Sequence, residues 1–189
     1  MPAKPGERRL QILQTLASML ENPRAERVTT AALAAKLDVS EAALYRHFAS
    51  KAQMFEGLIE FIETTLFTLI NKIASDTPDG AAQAQQTVAV LLAFAEKNPG
   101  MTRVLIGDAL VNEDDRLQAR MNQLYERIEA ALRQSLRIAQ AANNWPGDPA
   151  AEANVLLAFV VGRWQLYAKS GFKRSPQQDF DLQRKFLFG

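Results

Sequence analysis

The stretch Thr29–Lys51, TTAALAAKLDVSEAALYRHFASK, decides the fold of this 189-residue chain. Thr29 suits the N-cap of a short helix, because its hydroxyl can accept a hydrogen bond from a free backbone amide in the first turn. Asp38 tolerates the left-handed conformation of a tight turn, and Ser40 can cap a second helix. The stretch therefore predicts two short helices joined by a turn.

The second helix of this pair is predicted over residues 41–48. Leu44 and Phe48 are four residues apart and therefore share one inward face. The other side chains of this helix must face outward or sideways, among them Ala42, Tyr45 and Arg46. A second helix that shows small residues, an aromatic ring and a base to solvent is typical of a helix-turn-helix unit that enters the major groove of DNA.

A third helix is predicted to begin at Ser50, which has the spacing of a capping box with Gln53. Lys51 then lies in the first helical turn, where the positive end of the macrodipole disfavours a cation by up to about 1 kcal/mol. A phosphate at that helix end would bind both the free amides and the ammonium group. Two interpretations stay open at this point, a phosphate contact or a solvated surface lysine.

The composition excludes several classes of function. The chain has no cysteine, so disulfides, thiolate metal sites and cysteine nucleophiles are absent. His47 is the single histidine, which argues against a histidine-rich metal site or a Ser-His-Asp triad elsewhere. The sequence also lacks the phosphate-loop, dinucleotide, zinc-protease and nucleophile-elbow motifs. We therefore predict a protein that is not an enzyme and that needs no cofactor and no metal.

The charge is nearly balanced but unevenly distributed. The net charge is +1, which gives no global signature of nucleic-acid binding. Residues 1–51 hold eight lysines and arginines against five acidic residues, whereas the remainder holds fourteen against sixteen. The basic residues are therefore in excess only in the amino-terminal part of the chain. The first residues lack the apolar core of a signal peptide, so a cytoplasmic protein is expected.

The remaining chain shows helical periodicity and no strand pattern. A helix over 7–21 would complete a three-helix head, and further helices are predicted over 50–75, 81–97, 101–111 and 113–142, with a last one capped by Asp148 and begun by Pro149. Within 113–142 the apolar residues alternate four and three apart, as in a helix-packing seam. The predicted fold is all-α, with a DNA-binding head over 1–51 and a helical dimerisation and partner-binding body over 52–189.

Residues 155–161 are apolar on every side of the last helix. This run is too short to span a bilayer, which needs about 20 residues. A helix that is apolar all round must be covered on both sides. One side can meet its own domain and the other a second copy of the chain, with Gly162 permitting close approach. The alternative is a central core helix in a monomer. The tail over 171–189 is expected to be a partly ordered extension.

The helix-turn-helix stretch resembles the amino-terminal domain of TetR-type regulators. The residues that carry the resemblance are Thr29-Thr30, Leu33-Ala34, Val39-Ser40, Leu44-Tyr45, His47-Phe48 and Ser50-Lys51. Asp38 departs from the glycine that many members have, which bears only on the turn geometry. The resemblance implies a DNA-binding face made of Thr29, Thr30, Ser40, Ala42, Tyr45, Arg46, His47 and Lys51.

The same resemblance suggests a role for most of these residues. Phosphate contacts are expected from Thr29, Tyr45, His47 and Lys51. Thr30, Ala42 and Arg46 would lie nearest the base edges. An alternative for the two rings of this face, those of Tyr45 and His47, is that they close the small core of the head.

A closer resemblance, to the nucleoid occlusion factors of that superfamily, runs through most of the chain. It is carried by the segments SEAALYRHFASK (40–51), MFEGLIEFIE (54–63), EKNPGMTRVLIGDALVNEDDRLQARMNQLYERIEAALRQ (96–134) and SGFKRSPQQDFD (170–181). It implies a nucleoid-associated homodimer that binds palindromic sites in double-stranded DNA and, when bound, antagonises assembly of the division protein FtsZ.

The contact with FtsZ is expected on the long third helix and on the helix that ends at Lys97. The candidate residues are Phe61, Leu91, Lys97 and Asn98, and Leu91 has the core of the body as its alternative. A second functional interpretation stays open, a transcriptional repressor of the TetR type that responds to a small molecule bound in the helical body.

Overall fold

The computed structural model describes residues 5–22 and 28–189. Over these two ranges the chain is helical without any strand, which confirms the predicted all-α class. The elements are α1 (Pro5–Leu20), α2 (Thr30–Lys36), α3 (Glu41–Tyr45), α4 (Lys51–Asp76), α5 (Gly80–Lys97), α6 (Pro99–Leu105), a 3-10 turn (Asp108–Leu110), α7 (Asp115–Ala141), α8 (Pro149–Lys169) and α9 (Phe180–Leu187).

The predicted helix caps of the head are confirmed. Thr29, Ser40 and Ser50 each accept a hydrogen bond from the amide three residues later, at 3.1, 3.3 and 3.1 Å. The side chain of Gln53 reaches back and its Oε1 accepts from the Ala49 amide at 2.8 Å. Each such cap contributes about 1 kcal/mol to the helix it begins. The starts of α2, α3 and α4 are therefore fixed by local chemistry.

The turn between α2 and α3 has the left-handed residue that the sequence predicts. Asp38 has a φ of 53°. Its amide donates to the Ala35 carbonyl at 3.2 Å, and the Val39 amide donates to the Ala34 carbonyl at 3.0 Å. This pair of bonds is the Schellman closure of a helix end, which usually employs glycine or asparagine. Asp38 serves here because a short polar side chain tolerates the left-handed region.

Two predicted helices differ from the structure in length. The helix α3 ends at Tyr45 instead of Phe48, although the amides of His47 and Phe48 still bond the Leu44 carbonyl, at 2.9 and 3.1 Å. The helix predicted over 101–111 is divided into α6 and the 3-10 turn, because Gly107 between them has a φ of 79°. A positive φ interrupts the helical hydrogen bonds and re-aims the chain.

The head is joined to the body by close packing of α1 on α6. A Cβ atom on Gly100 would lie 1.9 Å from the carbonyl oxygen of Ala17, so only glycine permits this approach. The helix α4 links the same two parts, since Met54, Phe55 and Leu58 are all nearly fully buried. The head therefore sits on the body through two separate contacts.

The apolar seam of α7 drifts from its predicted course. The first four predicted positions, Leu117, Met121, Leu124 and Ile128, are buried. Further along, the predicted Ser135 is buried together with Leu132, Leu136 and Ala139, whereas the predicted Ile138 is 36% exposed. A straight helix turns every 3.6 residues, so a seam of alternating fours and threes rotates away from the core over several turns.

The helix α8 is buried on one side only. Leu156, Val160 and Trp164 are at most 1% exposed, whereas Val155 is 56% and Leu166 is 42% exposed. These two lie with Ala158 and Gly162 on an uncovered stripe, and a Cβ on Gly162 would meet no atom within 4 Å. The alternative of a central core helix in a monomer is therefore wrong for this chain.

The tail contains helical structure that the sequence analysis does not predict. It contains α9, and it is attached to α8 through the buried guanidinium of Arg163. This group donates to the carbonyl oxygens of Pro176 at 2.8 Å and Ser175 at 3.3 Å, and also to that of Gln178. Burial lowers the pKa of Arg163 from its ordinary value, and a nearby arginine adds to this effect.

Candidate nucleic-acid interface

The outward face of α3 is displayed as the sequence predicts. Leu44 and Phe48 are each 1% exposed and close the core of the head. On the opposite side Ala42 and Arg46 are exposed, and Tyr45 is 44% exposed. The alternative that the Tyr45 ring closes the head core is therefore wrong. The exposed side of α3 therefore carries a small residue, an aromatic ring and a base, a composition typical of a helix that enters a DNA major groove.

The start of α2 lies beside α3 and is tied to it. The hydroxyl of Thr30 donates to the carboxylate of Glu41 at 2.5 Å. Thr29, at the cap of α2, is exposed, and so is Ser40 at the cap of α3. The hydrogen bond between Thr30 and Glu41 sets the relative placement of the two helix starts, a contact that spacing along the sequence does not reveal.

An arginine from α1 supports the far end of α3. The guanidinium of Arg9 donates to the His47 carbonyl at 2.7 Å and lies 4.2 Å from the centre of the Phe48 ring. A cation over an aromatic face adds about 0.5–1 kcal/mol at an exposed site. His47 itself is half-buried. Arg9 thus has a structural role in holding this turn.

Lys51, the predicted phosphate contact at the start of α4, is paired within the protein. Its Nζ lies 2.6 Å from Oε1 of Glu113, which belongs to the segment before α7. The side chains of Lys51 and Glu113 are 23% and 7% exposed. The interpretation of Lys51 as a solvated surface lysine is therefore wrong. Glu113 supplies the compensating anion, and the sequence offered no signal for this pairing across 62 positions.

The ion pair between Lys51 and Glu113 is the first of a series between α4 and α7. Glu56 pairs with Arg116 at 2.9 Å. Further along, Glu63 accepts from Arg120 at 2.5 Å and from Arg127 at 2.9 Å. Because the Glu63 side chain is 8% exposed, its carboxylate needs these partners to offset the loss of hydration. The first half of α4 is thus bonded to α7 and to the segment before it by ion pairs.

The four candidate residues for a protein partner do not all reach the surface. Phe61 and Asn98 are half-buried and Lys97 is exposed. Leu91 is 0% exposed, so the prediction that it contacts a partner is wrong and its alternative as a core residue is confirmed. The helical period places Leu91 on the inward side of α5, where the indole of Trp164 bonds its carbonyl. The side-chain amide of Asn98 donates to the Phe94 carbonyl at 2.7 Å.

The described part of the chain shows neither a metal-binding cluster nor a membrane-spanning helix. Among residues 5–22 and 28–189 no group of histidine and acidic side chains is arranged to hold a metal ion. Over the same part of the chain, every helix is too short or too polar to cross a membrane.

Family comparisons agree with this geometry. Residues 25–58 match the bacterial regulatory proteins of the tetR family, which covers the helix-turn-helix and the start of α4. Residues 79–189 match the SlmA-like form of the tetracyclin repressor-like C-terminal domain. The second match covers most of the helical body and more than half of the chain.

Full-length relatives give the same assignment. A protein of Alteromonas mediterranea, named nucleoid occlusion factor SlmA, is 52% identical over 97% of this chain and 95% of its own length. The chain belongs to the SlmA family of TetR-type proteins. Another SlmA, from Shewanella pealeana, is 49% identical over 99% of this chain and 96% of its own length.

Solved structures share the fold of this SlmA family member at low sequence identity. A TetR transcription regulator from Haloarcula marismortui superposes with a TM-score of 0.81 at 14% identity, over 96% of this chain and 97% of the other. The fatty acid degradation regulator FadR of Bacillus halodurans gives 0.80 at 13% identity, over 100% and 97%. At this identity the similarity establishes the TetR-like fold alone.

Proposed function

We propose that this protein is a DNA-binding nucleoid occlusion factor. As a homodimer it binds palindromic sites in the chromosome and, when bound, antagonises FtsZ assembly over the nucleoid. The observation that carries the proposal is the exposed face of α3 in a chain about half identical, over nearly its whole length, to relatives named nucleoid occlusion factor SlmA.

DNA recognition is assigned to the head, over residues 1–51. Arg46 and Ala42 on α3, with Thr30 at the start of α2, are proposed to face base edges, where an arginine can bond guanine at two atoms. Tyr45 and His47 would contact phosphates. The side chains of Thr29, Ser40 and Lys51 are proposed to contact phosphates as well. Together with Tyr45 and His47 they form the phosphate face. The exposure of the α3 face and of both caps supports this assignment.

The homodimer is proposed to form through the uncovered stripe of α8. Val155 and Leu166 expose large apolar side chains on one side of that helix, and Gly162 leaves room for a second backbone. A two-fold interface repeats the same surface on both subunits. Two heads related in this way would read half-sites about one helical turn, roughly 34 Å, apart. Palindromic sites follow from that symmetry.

The FtsZ contact is proposed for the body, over residues 52–189. Phe61 on α4 and Lys97 with Asn98 at the end of α5 are the residues that retain some exposure. If one partner contacts all three residues, the aromatic ring would supply an apolar anchor and the base and the amide would supply polar bonds. Since α4 also carries the start of the phosphate face, DNA and FtsZ would meet the same helix at different points.

The test couples the two activities. FtsZ polymer is measured by light scattering with the protein and either a specific duplex or a scrambled one, after gel-shift selection of the specific duplex from genomic fragments. We expect less polymer only when protein and specific duplex are both present. Polymer equal to that of FtsZ alone would contradict FtsZ antagonism, and the absence of any shifted fragment would contradict DNA recognition.

A second candidate function is a repressor controlled by a small molecule. It is favoured by a cavity of about 650 Å³ between the ends of α1, α6 and α8, lined by Asn22, Arg103, Asp108, Gln165 and Lys169 among others. The lining combines charged and polar side chains with apolar surface, which would suit an amphipathic ligand. A thermal-shift screen separates the candidates, because this one requires a compound that stabilises the protein and releases the specific duplex.

A further inference from the structure

The ion pair between Lys51 and Glu113 occupies the place where the proposed function requires a DNA phosphate. Lys51 is the first residue of α4, and its ammonium lies 2.6 Å from the Glu113 carboxylate. The start of α4 has no acidic residue in its first turn. A helix start attracts anions through its free amides and the macrodipole. The carboxylate of Glu113, which belongs to the body, therefore neutralises Lys51 at the start of α4, next to the head.

A DNA phosphate and the Glu113 carboxylate would compete for the Lys51 ammonium group, which lies 2.6 Å from that carboxylate. A phosphate that approaches Lys51 would come close to the Glu113 carboxylate, and like charges at short range repel each other. Glu113 is 7% exposed, so solvent screens this repulsion less than it would at an open surface. Either the carboxylate moves away from Lys51 or the phosphate binds less tightly.

We infer that Glu113 is an internal competitor of the DNA phosphate for Lys51, and that binding of a specific duplex displaces it. The inference rests on the proposed DNA-binding function and adds a regulatory residue to it. Glu113 lies between the 3-10 turn and α7, so its release loosens residues 108–114 and leaves the pairs of Glu56 and Glu63 with α7 in place. The state of the head is thereby transmitted to the start of α7.

The affinity test uses the variant Glu113→Gln in the full chain. We expect its affinity for the specific duplex to rise about three- to tenfold, because the competing charge is gone while the packing is nearly kept. Glu56→Gln is the matched control, since it removes an equal charge from the next pair of the series. In a Lys51→Gln background the change at Glu113 should raise the affinity much less, because the interaction between these two residues is then absent.

A second measurement uses the unmodified protein and does not depend on how the variants fold. Amide hydrogen exchange is recorded with and without the specific duplex. We expect residues 108–114 to exchange faster in the complex, and α4 next to Glu63 to be unchanged. Unchanged or slower exchange at 108–114 would overturn the displacement.

The outcomes separate this inference from the function beneath it. If the unmodified protein shifts no duplex, DNA recognition itself fails and the inference with it. If the unmodified protein binds a specific duplex but Glu113→Gln binds equally or more weakly, the competition alone is overturned. A gain in Glu56→Gln as large as that in Glu113→Gln would also overturn it, because the effect would then reflect total charge.

Discussion

The indole Nε1 of Trp164 donates a hydrogen bond to the backbone carbonyl oxygen of Leu91 at 3.1 Å. Both residues are 0% exposed. The bond joins α8, which carries the proposed dimer stripe, to α5, which ends at the proposed FtsZ contact. The two surfaces of the body are therefore held in a fixed relation by a buried polar contact.

The bond between Trp164 and Leu91 predicts a loss of stability in Trp164→Phe. The smaller ring cannot donate and leaves a gap, so the free energy of unfolding should fall by about 2–4 kcal/mol. Urea unfolding followed by circular dichroism measures it. Tyr45→Phe is the control, because that ring is 44% exposed and should change stability by less than about 0.5 kcal/mol. Equal stability of both variants would contradict the structural role of the bond.

Arg46→Gln should weaken sequence discrimination. If Arg46 bonds a base edge, the variant loses about 1–3 kcal/mol on the specific duplex and little on a scrambled one. Fluorescence anisotropy with both duplexes measures the difference. Lys72→Gln removes the same charge from the far end of α4, where Lys72 pairs with Asp76, and should alter neither affinity. An equal loss on both duplexes, with a salt slope reduced by about one, would identify a phosphate contact instead.

Val155→Glu should break the proposed homodimer. A carboxylate on the α8 stripe would face its own copy across the two-fold axis, where it lacks a partner and loses hydration. Light scattering after size exclusion should then report the monomer mass. Val111→Glu is the matched control, because this valine is 63% exposed but lies in the segment before α7. An unchanged dimer in Val155→Glu, or dissociation in both variants, would contradict the assigned surface.

Lys97→Glu should impair the effect on FtsZ and leave DNA binding intact. Lys97 ends α5 and is exposed, so a reversed charge there changes the proposed contact without disturbing the core. Light scattering of FtsZ polymer with specific duplex, and anisotropy with the same duplex, separate the two activities. Lys72→Glu, which makes the same charge change on α4, is the control. If Lys97→Glu inhibits polymer as strongly as the unmodified protein, Lys97 is not part of the contact.

Tyr125 should make stability depend on alkaline pH. Its hydroxyl donates to the Leu105 carbonyl, and burial raises its pKa to about 12 from an ordinary value of 10.0. Since the folded state holds this proton more tightly, the contribution to stability is complete below pH 10 and is lost as the pH rises toward 12. Thermal melts across this range, with Tyr125→Phe for comparison, measure it. A phenylalanine variant with the same slope would contradict the assignment.

The helix-turn-helix could be predicted from sequence because its determinants are local. Capping by Thr29 and Ser40 depends on residues only three positions apart, and the turn depends on the conformational tolerance of Asp38. The inward face of α3 follows from the four-residue spacing of Leu44 and Phe48. Each of these features is set within one or two helical turns, so neighbouring residues are sufficient to specify it.

The partners of charged and polar side chains were decided by tertiary structure. Lys51 meets Glu113 across 62 positions, and the indole of Trp164 reaches Leu91 across 73. Periodicity assigns a side chain to a face but does not say which helix covers that face. The family resemblance suggests a partner contact for Leu91, with the core as its alternative, and this residue lies in the core.

The sequence alone thus determined most of the helices, the caps of the head and the outward side of α3, because these depend on short-range hydrogen bonds and on the helical repeat. Only the folded chain decided that Glu113 neutralises Lys51 and that one side of α8, with Val155, stays uncovered. Contacts between distant segments depend on how whole helices pack, and that packing is a property of the complete core.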